Sequence, residues 1–175
     1  MTRTILGGFA ALAAAVALGC ASQAAAPKAP EARADIEARS GSTVRGWALV
    51  TENGKGGVHV HVYLEHTPPG THGLHLHENG DCSDPEGKSA GGHFNPTGMP
   101  HAGPTAMQHH AGDLGNIEIT WDGTGKLDID SDMLTVKPGP NSVVGRSVIV
   151  HEKSDDTTTQ PTGNAGGRIG CGVFK

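Results

Sequence analysis

His75 and His77 lie two residues apart in the run Gly73-Leu-His-Leu-His-Glu-Asn-Gly-Asp81. Their alternation with Leu74 and Leu76 reads as a strand, so both imidazoles emerge on one face and can converge on one ion. His93 follows in Gly92-His-Phe-Asn-Pro96, then His101, His110 and Asp113. Three imidazoles and a carboxylate are a donor set suited to tetrahedral Zn²⁺. His151 closes the β-rich run from Val143 to Val150. Together with His75, His77 and His93 it makes an all-imidazole set, which suits Cu²⁺ in tetragonal geometry. His93 is counted in both sets, as a bridge between two metals would be. Spacing of this kind points to a metal site without naming the metal. His59 and His61 form another such pair, but nothing near them in the sequence adds ligands. We read them, with His66, His72 and His109, as solvent-facing or supporting residues.

The elements that must position these side chains are short strands. Of 175 residues, 27 are Gly and 11 Pro, while 35% are hydrophobic, a composition that favours many turns over a helical bundle. Alternating Ala34, Ile36 and Ala38 suggest a first half-buried strand. Val44–Thr51 and Gly57–Glu65 follow as β-rich runs around Asn53-Gly54, a strong hairpin signal. After the Pro68-Pro69-Gly70 turn comes the histidine strand, then Leu114–Trp121, Lys126–Asp130, Val143–His151 and Ile169–Phe174. Eight short strands without a helical period predict an all-β sandwich or barrel. Two connections, Asn79–Asp113 and Glu152–Arg168, are too long for plain turns, and loops of that length are commonly functional. The first of them carries four candidate ligands.

Length allows one domain with appendages. The formal net charge is −5, no basic block occurs, and aromatics make up 3%. Neither a cationic footprint nor a stacking surface for nucleic acid is present. Residues 1–19 read as an export signal, with Arg3 followed by an apolar run too short to span a membrane. The ending Ala17-Leu18-Gly19-Cys20 resembles a bacterial lipoprotein box, which implies lipidation of Cys20 and a membrane anchor; cleavage near Ala24–Ala26 is the alternative. Residues 20–32, rich in Ala and Pro, read as a flexible tether, and residues 33–175 as the domain. Cys82 and Cys171 remain, an even pair in an exported chain, so a disulfide is expected.

The chain from about residue 33 to 175 resembles the copper/zinc superoxide dismutases, bacterial exported form. The resemblance rests on Gly73–Asp81, Gly92–Pro96, His110-Ala-Gly-Asp-Leu-Gly-Asn116, Gly145-Arg-Ser-Val-Ile-Val-His-Glu-Lys-Ser-Asp-Asp156 and Gly163-Asn-Ala-Gly-Gly-Arg-Ile-Gly-Cys171. It implies an eight-stranded Greek-key barrel, superoxide as substrate, and copper and zinc as cofactors. It puts copper on His75, His77, His93 and His151, and zinc on His93, His101, His110 and Asp113. It gives Asp155 the task of linking a copper ligand to a zinc ligand. Arg168 becomes the active-site arginine, His93 the proton-carrying bridge, and Cys82–Cys171 the disulfide. Thr157–Thr162 is shorter than in the animal enzymes and lacks their acidic pair and lysine, so their steering scheme does not transfer. Lys153 is the other candidate cation. Cys82 follows Gly80-Asp81 as in the bacterial members, whereas the zinc-loop spacing is that of the eukaryotic ones. This mixture leaves the subunit interface undecided, a homodimer included. The expected role is protection of the cell envelope, in the periplasm, against superoxide. The alternative is a non-catalytic copper- or zinc-binding protein on the same fold.

Overall fold

The computed structural model describes Met1 and residues 30–175. The export signal, Cys20 and most of the expected tether fall outside the described residues. Among the described residues eight strands form: β1 (Glu31–Ala38), β2 (Arg45–Glu52), β3 (Val58–Glu65), β4 (Gly70–His77), β5 (Asp113–Ile119), β6 (Gly125–Ser131), β7 (Ser147–His151) and β8 (Arg168–Val173). They close into an antiparallel barrel in the order β1-β2-β3-β6-β5-β4-β7-β8. Closure leaves none of the described strands as a free sheet edge. The neighbours β3/β6 and β4/β7, far apart in sequence, make it a Greek-key barrel, as expected. β1 starts at Glu31, two residues before the expected start of the domain, and Ala32 is already buried.

Period-2 alternation decides which face each strand buries. β3 is the plainest case, with Val58, Val60, Val62 and Leu64 buried and His59, His61 and Tyr63 half-buried on the other face. The same alternation sends Leu74 and Leu76 of β4 into the main core. His75 and His77 emerge on the outer side of the barrel yet are buried as well. A strand covered on both faces needs a second layer, and the two long connections supply it. β7 repeats the pattern: Val148 and Val150 join the main core, while Ile149 packs in a small cluster with Ala90, Cys171 and Cys82.

That small cluster fastens the first long connection to the barrel. A disulfide joins Cys82 of the connection to Cys171 of β8. Arg39 Nε and Nη2 donate to the Cys82 carbonyl at 3.0 and 2.6 Å. A single 3₁₀ turn, Lys88–Ala90, interrupts this otherwise irregular segment.

Three local expectations shift. The Asn53-Gly54 hairpin forms, but as a loop in which the Asn53 carboxamide accepts from the Lys55 and Gly57 amides at 2.9 and 3.1 Å. Trp121 leaves β5 and stands 90% exposed in the following turn. Val143 is buried but precedes β7, because the Arg146 amide donates back to the Val143 carbonyl at 3.0 Å and Gly145 takes φ +78°. Only glycine adopts that conformation freely. A third connection, residues 132–146, therefore exists, and it contributes Leu134, Val136 and Val143 to the core.

The disulfide closes 89 residues. By the loop-entropy model, such closure constrains the unfolded chain by roughly 4–5 kcal/mol. The double change Cys82→Ser with Cys171→Ser should lower unfolding free energy by that order, measured by denaturant titration of the metal-free protein. A loss under about 1 kcal/mol would mean that the barrel holds the connection without it.

Candidate metal centre

Backbone pairing brings the histidines of the first connection onto β4. The Phe94 amide donates to the Leu76 carbonyl at 2.8 Å, the Leu76 amide to Gly112 at 2.9 Å, and the Gly112 amide to Phe94 at 2.9 Å. His77 and His93 face each other across an isolated bridge. Asp113 opens β5 directly opposite His75, and His151 ends β7 opposite Arg168. Seven side chains from four segments thus meet in one buried layer.

Each ring is oriented by what its other nitrogen touches. His75 Nε2 lies 2.8 Å from Asp155 Oδ2, and His101 Nε2 lies 3.0 Å from Asp155 Oδ1. His77 Nδ1 lies 3.0 Å from the Gly91 carbonyl and His151 Nδ1 3.4 Å from that of Gly166. These oxygens only accept, so the nitrogen facing them carries the N–H. In a neutral ring the opposite nitrogen is then a bare lone pair.

The bare nitrogens collect in one place. His75 Nδ1, His77 Nε2, His93 Nε2 and His151 Nε2 are buried without a hydrogen-bond partner. Donor atoms of these four residues lie within 4.8 Å of one another. Buried polar atoms ordinarily find a partner, and leaving one unmet costs about 1–3 kcal/mol. Four such atoms pointed at one spot fit a cation with imidazole preference.

The second set shows the same signature in another form. Asp113 Oδ1 lies 2.9, 3.0 and 3.2 Å from Nδ1 of His93, His101 and His110. His101 in its neutral form has given its N–H to Asp155, so at Asp113 it sets a lone pair against a carboxylate. A cation between them resolves that repulsion. His93 takes part in both sets, through Nδ1 here and Nε2 there, with its ring stacked 3.9 Å from that of His75.

Supporting residues surround this layer, and the sequence reading gave no role to Asn116, Gln160 or Gly163 among them. Asn116 exchanges hydrogen bonds with the Asp155 backbone at 2.8 and 2.9 Å. The Gln160 carboxamide clasps the His101 backbone at 2.9 and 2.7 Å. Of the two readings of His72, the supporting one holds: it is buried, with its ring nitrogens 2.8 Å from the carbonyls of His151 and Pro68. His66 is exposed and His109 half-buried, Nδ1 on the His110 carbonyl at 2.7 Å. Gly163 lies at φ +65°, and a methyl group there would strike the Asp155 carboxylate. Asn116 and Gly163 both stand inside the sequence motifs, but only their place beside Asp155 explains them.

Arg168 borders the imidazole set. Its Nη1 and Nη2 donate to the Gly87 and Gly91 carbonyls at 2.8 and 2.7 Å. Both acceptors are neutral, so these bonds aim the guanidinium without cancelling its charge. It lines a surface depression with Ser40, Glu86, Lys88, Gly166 and Gly167.

Burial also sets the charge of the layer. It pushes His75 and His77 well below the usual histidine range, and His151 to about 4, with neighbouring His93 acting in the same direction. For Asp113, burial works upward but is outweighed, first by the hydrogen bond from His93, leaving the carboxyl at about 2. At neutral pH the layer therefore offers lone pairs and a carboxylate. A histidine whose folded pKa is lowered binds fewer protons folded than unfolded, so its stabilising effect is complete above about pH 6.5 and lost as pH falls toward 4. The melting temperature of the metal-free protein should fall steadily through that window. His151→Leu should flatten the decline, and an unchanged profile would refute its source.

Residues 44–174 match the family model described as copper/zinc superoxide dismutase. The extracellular superoxide dismutase [Cu-Zn] of Drosophila melanogaster is 43% identical over 139 residues, 75% of each chain. The superoxide dismutase [Cu-Zn] of Deinococcus radiodurans is 40% identical over 157 residues, 83% of this chain and 85% of its own. A solved structure described as the clock protein EA4 superposes with a TM-score of 0.75 at 38% identity, covering 84% of this chain and 94% of the other. With a matched barrel and two converging histidine sets, the chain belongs to the copper/zinc superoxide dismutase family.

Proposed function

We propose that this protein dismutes superoxide to O₂ and H₂O₂ at a copper held by His75, His77, His93 and His151, beside a zinc held by His93, His101, His110 and Asp113. The observation that carries this reading is the convergence of four buried, partnerless ring nitrogens next to a second set that shares His93. Bound copper would supply a one-electron couple, releasing O₂ from one superoxide and, with two protons, H₂O₂ from a second, while zinc, without accessible redox change, supplies charge and geometry.

The chain's own residues do the rest. Asp155 holds His75 and His101 in fixed tautomers, and outer partners of this kind affect metal retention by roughly 10–100-fold. His93 Nε2 takes up a proton in one half of the cycle and surrenders it in the other. Arg168 receives the anion. The chain is acidic overall, at −5, so capture depends on a local positive field. Lys88 of the same depression is paired with Glu86, which leaves Arg168 the principal cation there. Lys153 is exposed and its stem lies against Gly166, which lines the same depression.

The decisive experiment is metal analysis with a dismutation assay. The loaded protein should carry one copper and one zinc per chain and be active. His151→Ala should lose copper and keep zinc. Arg168→Glu should lower the rate by roughly 10-fold or more with both metals retained, and Arg168→Lys should fall between, since Lys keeps charge but not the planar fork. A loaded wild-type protein without activity would make this a metal-binding protein instead.

Export is supported by the extracellular Drosophila relative together with the apolar leader. Within that, we infer lipidation of Cys20 and a place in the bacterial periplasm, anchored to a membrane. Cys20→Ser should abolish lipid labelling and release the protein from membranes; a wild-type amino terminus beyond Cys20 would instead mean free secretion. Whether two chains pair as a homodimer is read directly by sedimentation of the loaded protein.

A further inference from the structure

The barrel wall formed by β3 and β6 carries a histidine pattern that the dismutation reading does not use. His59 and His61 project from β3 on the face opposite Val58, Val60 and Val62. β6 runs antiparallel beside them, with Asp130 opposite His59 and Asp128 opposite His61. The ligands that the local sequence lacked thus arrive from a strand about 70 residues away. Asp128 Oδ1 sits between the two rings, in close contact with His61 Nδ1 and 3.3 Å from His59 Nε2. Asp130 Oδ1 lies 3.1 Å from His59 Nδ1. Donor atoms of His59, His61 and Asp128 fall within 4.8 Å of one another.

The geometry goes beyond one-to-one cross-strand pairing: Asp128 Oδ1 reaches both rings, and both nitrogens of His59 face carboxylate oxygens. An imidazole nitrogen that has lost its proton there is a ligand atom already aimed beside a carboxylate. The side chains are 44%, 30% and 54% exposed for His59, His61 and Asp128, so water can complete a coordination shell. Two imidazoles with carboxylate oxygen select a borderline divalent ion, Zn²⁺ or Cu²⁺. Ca²⁺ and Mg²⁺ call for oxygen ligands throughout.

We propose that His59, His61 and Asp128, with Asp130 on the rim, form a third metal site, exposed and separate from the buried pair. It takes one Zn²⁺, or Cu²⁺ more tightly, following the general affinity order for such donors. Its ligands come from two rigid neighbouring strands, so little ordering is needed on binding.

The test starts from protein already loaded with copper and zinc and titrates it with Zn²⁺ by calorimetry. One further equivalent should bind. His61→Ala and Asp128→Asn should each abolish it while dismutation activity and the buried metals stay unchanged. His66→Gln and His109→Gln should retain it. Cu²⁺ gives an independent readout, because the Trp47 ring lies 5.0 Å from that of His61. Stoichiometric Cu²⁺ should quench Trp47 emission in the wild type and not in His61→Ala. Absence of a further equivalent would overturn the proposal. So would an equivalent that survives His61→Ala, since the ion would then sit elsewhere on the chain.

Discussion

One carboxylate determines which atoms the metal layer offers. Asp155 accepts from His75 with one oxygen and from His101 with the other, at 2.8 and 3.0 Å. A histidine has two chemically similar nitrogens, and only the acceptor on one side decides which lone pair is left for a metal. By binding one ring from each set, Asp155 leaves Nδ1 of His75 facing the imidazole set and Nδ1 of His101 facing Asp113. Its own position is fixed by Asn116 on β5, through two backbone hydrogen bonds, and by the absence of a side chain at Gly163. A single turn of the second long connection thus sets the chemistry of a strand and of the first connection together.

The barrel makes this arrangement affordable in conformational terms. Loops of this length lose much entropy when they are ordered, and neither carries a helix of more than three residues among the described ones. The first is held at discrete points instead, the Cys82–Cys171 bond, the amide ring through Leu76, Phe94 and Gly112, the Arg39 clamp and the Arg168 carbonyl contacts, and the second by the Asn116–Asp155 and Gln160–His101 hydrogen bonds. Arg168 therefore combines two tasks. Its bonds to Gly87 and Gly91 fix the first connection over β8, and the Gly91 carbonyl that it contacts also orients His77.

Much of this was legible in the sequence, for a physical reason. Period-2 alternation is local, so the histidine strand and its neighbours stand out from residue types alone. Where local signals compete, the reading slips. Val143 has β-propensity and is buried, but the turn closed through Gly145 removes it from β7. His72 could be solvent-facing or supporting by sequence, and only the His151 and Pro68 carbonyls closing on it decide for the second. His59 and His61 looked isolated because their partners, Asp128 and Asp130, depend on the pairing of β3 with β6, which no short window of sequence contains. His151 could be grouped with β4 because its set is all imidazole, whereas the pairing of His59 and His61 with Asp128 and Asp130 required the strand order.

The two histidine-bearing walls of the barrel show how one pattern yields different chemistry through burial. On β4 the outward rings lie under loops, so desolvation keeps them neutral far into acid, and the bare nitrogens cannot turn to water. On β3 the same H-x-H spacing stays open, and water can satisfy whatever a metal does not. The buried set carries a folding penalty that only an ion removes, which couples metal binding to stability. The exposed set carries almost none, so an ion there would come and go without disturbing the fold. Permanence of a metal in this protein is thus a property of the covering loops more than of the ligands themselves.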